Sequence, residues 1–304
     1  MDQITRYMAA DGAVRIILAE TTQACEEARV THNASAVVTA ALGRTLTATV
    51  MLASELKGDG SVTATIDGDG PMGRLCAVAR PDGTVKAYAT DPSVELPLRA
   101  DGKLDVGGAV GRAGKLTVVK DLGMREPYVG MINLVNGEIA MDFAQYLTAS
   151  EQQNSLVALG VLVNPDYTVA AAGGIFVQPL PGCPDSVLSD LELRAPLLGD
   201  ISRSLHLDGG DALVRGVFDG MDPVAVGVTP VAFRCDCSRD RIERALVALG
   251  ASDLQEMAAQ DHGAQVCCHF CNKQYDFTEE ELEALAEPSP QTPPPEGEGK
   301  IENR

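Results

Sequence analysis

Basic residues are scarce in this chain: 24 Lys plus Arg stand against 43 Asp plus Glu in 304 residues, a formal charge of −19. The average field of such a chain repels duplex nucleic acid and anionic membrane surfaces, so neither is an expected partner. No run of about 18 uninterrupted apolar residues occurs, and Met1 to Arg15 has no apolar stretch behind a basic cluster. Neither a membrane span nor a secretory leader is therefore expected. Internal repeats and coiled-coil heptads are lacking. So are a G-x-x-x-x-G-K-[ST] loop for ATP phosphates, a G-x-S-x-G nucleophile elbow and an H-E-x-x-H pair, and no enzyme is expected.

Hydrophobic residues make up 45% of the chain, enough for a real core, and the length suits about two domains. Apolar positions recur at helical spacing from Asn33 to Lys57, which predicts one long amphipathic helix buried on one side. Short β-rich runs follow at Ser61 to Ile66, Leu75 to Ala79 and Thr84 to Tyr88, the last two joined across Asp82-Gly83. Asn136-Gly137 predicts a hairpin between Tyr128 to Val135 and Glu138 to Met141. A helix over about Asp142 to Ala149 precedes strands Leu156 to Val163 and Thr168 to Ala172, turned by Asn164-Pro165-Asp166. The expected fold class is α+β. A core domain over 1–180 with antiparallel sheets leads into a helical linker over 181–230, which opens at Pro179-Leu180-Pro181-Gly182 and is interrupted by Gly199, Gly209 and Gly210. A small C-terminal domain over 231–287 comes next. The remainder, 288–304, is expected to be disordered: Glu287 to Arg304 holds five prolines, four glutamates and a single apolar residue, Ile301.

Eight cysteines in a chain without a secretory leader belong in a reducing compartment, where stable disulfides are uncommon. Cys235-Asp-Cys237 and Cys268-His-Phe-Cys271 lie thirty residues apart, the arrangement of a four-thiolate tetrahedral zinc site built from two turns. Ser238 can cap a helix with apolar positions Ile242, Ala245, Leu246 and Leu249, stopped at Gly250. Ser252 with Gln255 reads as a capping box for a second helix toward Gly263, so the chain goes out and returns. Thr278 with Glu281 opens a third helix that Pro288 ends. A domain of about 55 residues rarely supplies more than about 3–5 kcal/mol by itself, whereas a structural zinc is worth about 10–16 kcal/mol. Loss of the metal is therefore expected to unfold the segment. On spacing alone, a purely structural ribbon is the simpler reading. Each pair is nonetheless local enough to close on itself as a disulfide, and two disulfides leave no ligands for the ion. Arg234, Arg239 and Arg241 nearby would favour attack by anionic oxidants.

The segment from Phe233 to Arg241, with Val266-Cys-Cys-His-Phe-Cys-Asn-Lys-Gln-Tyr-Asp-Phe277, resembles the C-terminal redox switch of the 33 kDa heat-shock chaperone family. Ala41-Leu-Gly-Arg-Thr45, Gly68-Asp-Gly-Pro-Met-Gly73, Val118-Val-Lys-Asp-Leu-Gly123, Ser150-Glu-Gln152 and Ala171-Ala-Gly-Gly174 agree with the same family. The resemblance implies a redox-regulated, ATP-independent holdase of the bacterial cytoplasm, active under oxidative stress. It implies a reduced, inactive monomer with Zn2+ on Cys235, Cys237, Cys268 and Cys271. Oxidation by hypochlorous acid, or by peroxide with heat, then forms Cys235-Cys237 and Cys268-Cys271 disulfides and releases zinc. The zinc domain and linker unfold, the chain becomes a homodimer, and exposed apolar surface holds unfolded client proteins. Cys267 is a departure, a thiol beside Cys268 where the family usually has none.

Other motifs have plainer readings. Gly68, Gly70 and Gly73 spell G-x-G-x-x-G, but a strand and the Asp82-Gly83 turn follow instead of a helix, so a tight turn is expected. His262 and His269 lie near a sphere that four thiolates already fill, and His32 and His206 are isolated. Cys25, Cys76 and Cys183 read as small apolar or incidental residues. Ser150 and Glu151 border a helix end, and Gly173-Gly174 reads as close backbone packing or a positive-φ turn. Two further functions compete: a thiol-disulfide oxidoreductase using Cys268-x-x-Cys271, which lacks the usual βαβ setting, and a zinc-ribbon binding protein, which the net charge disfavours for nucleic acid.

Overall fold

The chain's framework is one long buried helix held between antiparallel strands, described by a computed structural model over residues 1–287. The tail expected to be disordered lies outside the described residues. In chain order the elements begin with β1 (Gln3–Ala9), β2 (Val14–Glu20), α1 (Thr22–His32), α2 (Ala36–Ala53), β3 (Ser61–Gly68), β4 (Arg74–Ala79) and β5 (Thr84–Ala89). Next come α3 (Val106–Val110), β6 (Gly114–Asp121), β7 (Tyr128–Asn133), α4 (Ala140–Ala149), β8 (Leu156–Val163) and β9 (Val169–Pro179). Then follow α5 (Asp185–Arg194), α6 (Ile201–Asp208), α7 (Gly210–Val217), β10 (Val224–Pro230) and β11 (Ala232–Phe233). The C-terminal elements are α8 (Arg239–Val247), α9 (Ala251–Asp261), β12 (Gly263–Cys267), β13 (Gln274–Thr278) and α10 (Glu279–Ala286). The chain divides into two compact units, Met1–Cys235 and the residues from Asp236 onward.

In the first unit one sheet has the order β10-β1-β2-β9-β8 and the other β11-β5-β4-β3-β6-β7. All pairings are antiparallel except the short parallel contact of β11 with β5. This is the expected α+β class. The expected one-sided burial of α2 is corrected: the helix touches strands of both sheets and is buried almost all round. Its composition permits this. Small residues dominate, and Thr45, Thr47 and Thr49 donate their hydroxyls to the carbonyls of Ala41, Gly43 and Thr45, so no hydroxyl is buried unpaired. Gly43 lets neighbouring elements approach, since a Cβ there would lie 2.5 Å from Cys25 Sγ and 2.6 Å from Val161 Cγ2. Among the described residues α2 is the one helix long and apolar enough to cross a membrane, and it is mostly buried inside the protein.

Strand β2 reads as an almost unbroken apolar run because both of its faces are covered. Ile17 and Ala19 join the core around α2, while Ile16 and Leu18 join a second core on the opposite face. That second core sets Tyr7, Ile175 and Val177 against Leu191, Ile201, Leu205, Leu213, Val214 and Phe218. The helical segment expected after residue 180 thus lies within the first unit, packed on a sheet face. Gly209, at φ +77°, separates α6 from α7.

The hairpin predicted at Asn136-Gly137 is also corrected. Strand β7 pairs with β6, which sequence patterning did not reveal, and the chain after Gly137 turns into α4. The cause is the buried Asp142 carboxylate, which accepts the Val135 N–H at 2.7 Å, the Asn136 N–H at 3.3 Å and the Ile139 N–H at 2.9 Å. Satisfying three amides at once outweighs a second strand. Asp142→Ala is expected to lower first-unit stability by about 3 kcal/mol, each orphaned buried amide costing about 1–3 kcal/mol. Urea unfolding monitored by tyrosine fluorescence measures it, and an unchanged midpoint would contradict this account of the turn.

Candidate metal centre

The second unit is built around few apolar contacts. Ser238 caps α8 as expected, its Oγ accepting from the Arg241 N–H at 3.3 Å. Of the four apolar positions predicted to face inward from α8, only Leu246 is buried; Ile242 is half-covered, and Ala245 and Leu249 face solvent. The unit is too small to cover the helix. The capping box predicted at Ser252 and Gln255 is corrected: α9 starts two residues earlier, from Gly250 at φ +107°, so Ser252 falls inside the first turn. The Thr278 and Glu281 box has both of its halves. Arg239 ties three elements together, donating to the Asp276 carbonyl at 3.0 Å, pairing with Glu281 at 2.7 Å and lying 4.3 Å from the Phe277 ring centroid. Arg241 pairs with Asp236 at 2.7 Å. Carboxylates therefore offset two of the three arginines expected to draw in anionic oxidants.

Hairpin β12–β13, unforeseen from the sequence, delivers the second cysteine pair. Alternation along β12 turns Cys267, paired with Gln274, toward solvent. Beyond it the chain closes a tight turn in which the Cys268 N–H donates to Lys273 O at 2.9 Å and the Asn272 N–H to Cys268 O at 2.8 Å. Asn272 adopts φ +57°. Cys268 is thereby carried inward and buried. The first pair enters from β11, where the Arg234 N–H donates to Val85 O at 2.9 Å, and Cys235 follows.

The sulfurs of Cys235, Cys237, Cys268 and Cys271 all lie within 4.8 Å of one another, and Cys237 Sγ is 3.4 Å from Cys271 Sγ. Zinc bound tetrahedrally by four thiolates at about 2.3 Å has sulfur–sulfur edges of about 3.8 Å, so the cluster fits such an ion. An all-sulfur donor set likewise suits a soft metal. These four residues can hold a metal ion. The Tyr275 hydroxyl donates to Cys237 Sγ at 3.1 Å, and that bond, reinforced by the neighbouring sulfurs, pushes the phenol up to about 12.

The remaining candidates lie elsewhere. Neither histidine near the cysteines belongs to the cluster, and His262 Nδ1 lies 2.9 Å from Glu279 Oε2. His32 is buried with Nε2 2.9 Å from Ala87 O, and His206 is exposed with Nδ1 3.4 Å from Ala170 O. Cys25 is buried and burial pushes its thiol far up; Cys76 is buried and raised in the same way. Cys183 is half-exposed near the start of α5. Gly68 and Gly70 pack against the backbone of 109–111, and β4 follows them, so no phosphate cradle forms. Gly173 lies in extended β9, where a Cβ would meet Ala19 O at 2.4 Å, the close-packing alternative. Ser150 ends α4, and Glu151 pairs with Lys120 at 2.7 Å while accepting from the Tyr146 hydroxyl.

An antiparallel α+β unit, a small C-terminal unit and four clustered thiols define the class of this molecule. A family model described as Hsp33 protein matches residues 2–278, and the chain belongs to that family. It is 44% identical over 285 residues to the 33 kDa chaperonin of Bacillus licheniformis, covering 94% of this chain and 99% of that protein. Identity to the 33 kDa chaperonin of Bacillus subtilis is 43%, covering 94% and 98%. The crystal structure of the 33 kDa chaperonin (heat shock protein 33 homolog) from Thermotoga maritima superposes with a TM-score of 0.84 at 35% identity, covering 94% of this chain and 97% of that one. The resemblance read from the cysteine segments is borne out.

Cobalt(II) added to the reduced chain is expected to give tetrahedral sulfur-to-metal absorption that saturates at one equivalent. Four ligands share about 10–16 kcal/mol, so Cys268→Ser should weaken binding at least about 100-fold. Cys267→Ser should leave it unchanged. Equal losses in the two variants would mean that the ligand position is wrongly assigned.

Proposed function

We propose that this chain is a redox-regulated, ATP-independent holdase of the bacterial cytoplasm, held inactive while Cys235, Cys237, Cys268 and Cys271 are reduced thiolates on zinc. The convergence of these four sulfurs, three of them in a unit with a meagre apolar core, carries the reading. Bound zinc supplies the charge that keeps the sulfurs deprotonated and cross-links the two cysteine turns. Oxidation removes the donors. Two thiolates, one hydrogen peroxide and two protons yield one disulfide and two waters, so two peroxides convert both pairs to Cys235-Cys237 and Cys268-Cys271. Among the described residues the unit then retains the burial of Leu246, Leu254, Ala258, Tyr275, Phe277, Leu282 and Ala286. That is too little to offset chain entropy.

In this reading residues 181–230 act as a linker of low stability and 231–287 as the switch. The linker's helices are short and broken by glycines, and Leu193, Leu197 and Leu207 already face solvent. Their release would bare the sheet face carrying Tyr7, Ile16, Leu18, Ile175 and Val177. A contiguous apolar face of that kind suits both unfolded client segments and a second copy, which accounts for holding clients and for a monomer that dimerises on oxidation. No catalytic step is required.

Light scattering from a thermally unfolding client tests the reading. Peroxide-treated chain at equimolar ratio is expected to suppress aggregation by more than half, whereas the reduced zinc-loaded chain leaves it nearly unchanged. Equal suppression by both states would refute switching, and turnover of insulin disulfides would favour an oxidoreductase instead.

A further inference from the structure

The hydroxyl of Tyr275 donates to one sulfur of the cluster, Cys237 Sγ, at 3.1 Å. Its ring is fixed in place. Tyr275 lies opposite Val266 in the β12–β13 ladder, is 6% exposed, and has the Lys273 ammonium 5.0 Å from its ring centroid, which polarises the phenol toward donation. Phe277 occupies the same face of β13 without a hydroxyl and is buried to a similar degree, so packing on this face does not itself require one.

A thiolate lone pair engaged by an O–H donor is less available to an electrophile. We propose that Tyr275 restrains Cys237: its hydrogen bond lowers the nucleophilicity of that one sulfur and so sets how readily the Cys235-Cys237 pair is oxidised. The proposal rests on the thiolate switch described above. In the restrained step, Cys237 sulfur attacks a peroxide oxygen and, with one proton, becomes sulfenic acid as water leaves. The Cys235 thiolate then displaces the sulfenic hydroxyl, which departs with a second proton as water. Tyr275 is a positioning residue: it consumes nothing and changes only the rate at which Cys237 enters.

The test compares zinc-loaded, reduced wild-type chain with Tyr275→Phe. Each is exposed to limiting N-ethylmaleimide, which adds sulfur across its double bond, and initial labelling of each cysteine is read by peptide mass mapping. Labelling of Cys237 relative to Cys268 is expected to rise about 3–10-fold in the variant, as expected for loss of a hydrogen bond to an anionic sulfur. The zinc content should stay at one equivalent. Installing 4-aminophenylalanine at position 275, which keeps a weaker N–H donor, should give an intermediate ratio, and this variant decides the matter if Tyr275→Phe does not hold zinc. An unchanged ratio with zinc retained overturns the proposal alone, as does an equal rise at all four cysteines, which is mere loosening. A wild-type chain that takes up no zinc overturns the switch reading and the proposal with it.

Discussion

Four sulfurs drawn within 4.8 Å of one another are the constraint on which the C-terminal unit depends. Thiolates at that separation repel unless a cation stands among them, and the unit has little else to hold it. Its helix α8 buries a single leucine, and Arg239 replaces apolar packing with ion pairs and a ring contact at a partly exposed position. Exposed pairs of this kind contribute about 0–1 kcal/mol each. A unit so constructed is stable or not according to the state of its donors, which makes the same residues suitable for support and for sensing.

The first unit shows the opposite economy. Its α2 is enclosed by both sheets, with threonines satisfied by their own helix, and strands β2 and β9 of the five-stranded sheet are buried on two faces. One of those faces is covered by short helices separated by Gly209 and by a 3₁₀ turn at Ala195–Leu198. A stable core therefore adjoins a cover made of weak elements. In the proposed function the cover can be lost while the sheet beneath it persists, because the α2 core needs none of the linker residues.

Much of this was legible before any coordinates. Strands β3, β4, β5, β8 and the start of β9 follow from β-branched runs bounded by turn residues, because each end has a local chemical cause such as Asp82-Gly83 or Asn164-Pro165-Asp166. Strands β1, β2 and β6 escaped notice for a physical reason. A strand covered on both faces loses its alternation, as β2 does, and β6 carries lysines at its edges that blur the pattern. The Asn136-Gly137 turn misled because its usual second strand was displaced by a single buried acceptor, Asp142, whose partners are not encoded by local spacing.

The sequence by itself determined that two close cysteine groups could act together, because soft donors at Cys-x-Cys and Cys-x-x-Cys spacing have few other uses, and it determined the helix caps at Ser238 and Thr278. Tertiary structure decided that Cys268 and not Cys267 turns inward, since that follows from the pleat of β12 and the turn closed onto Lys273. It alone decided that Tyr275 reaches Cys237, thirty-eight residues away along the chain. Spacing specifies a ligand set, but only a folded hairpin can bring a hydroxyl to one particular sulfur.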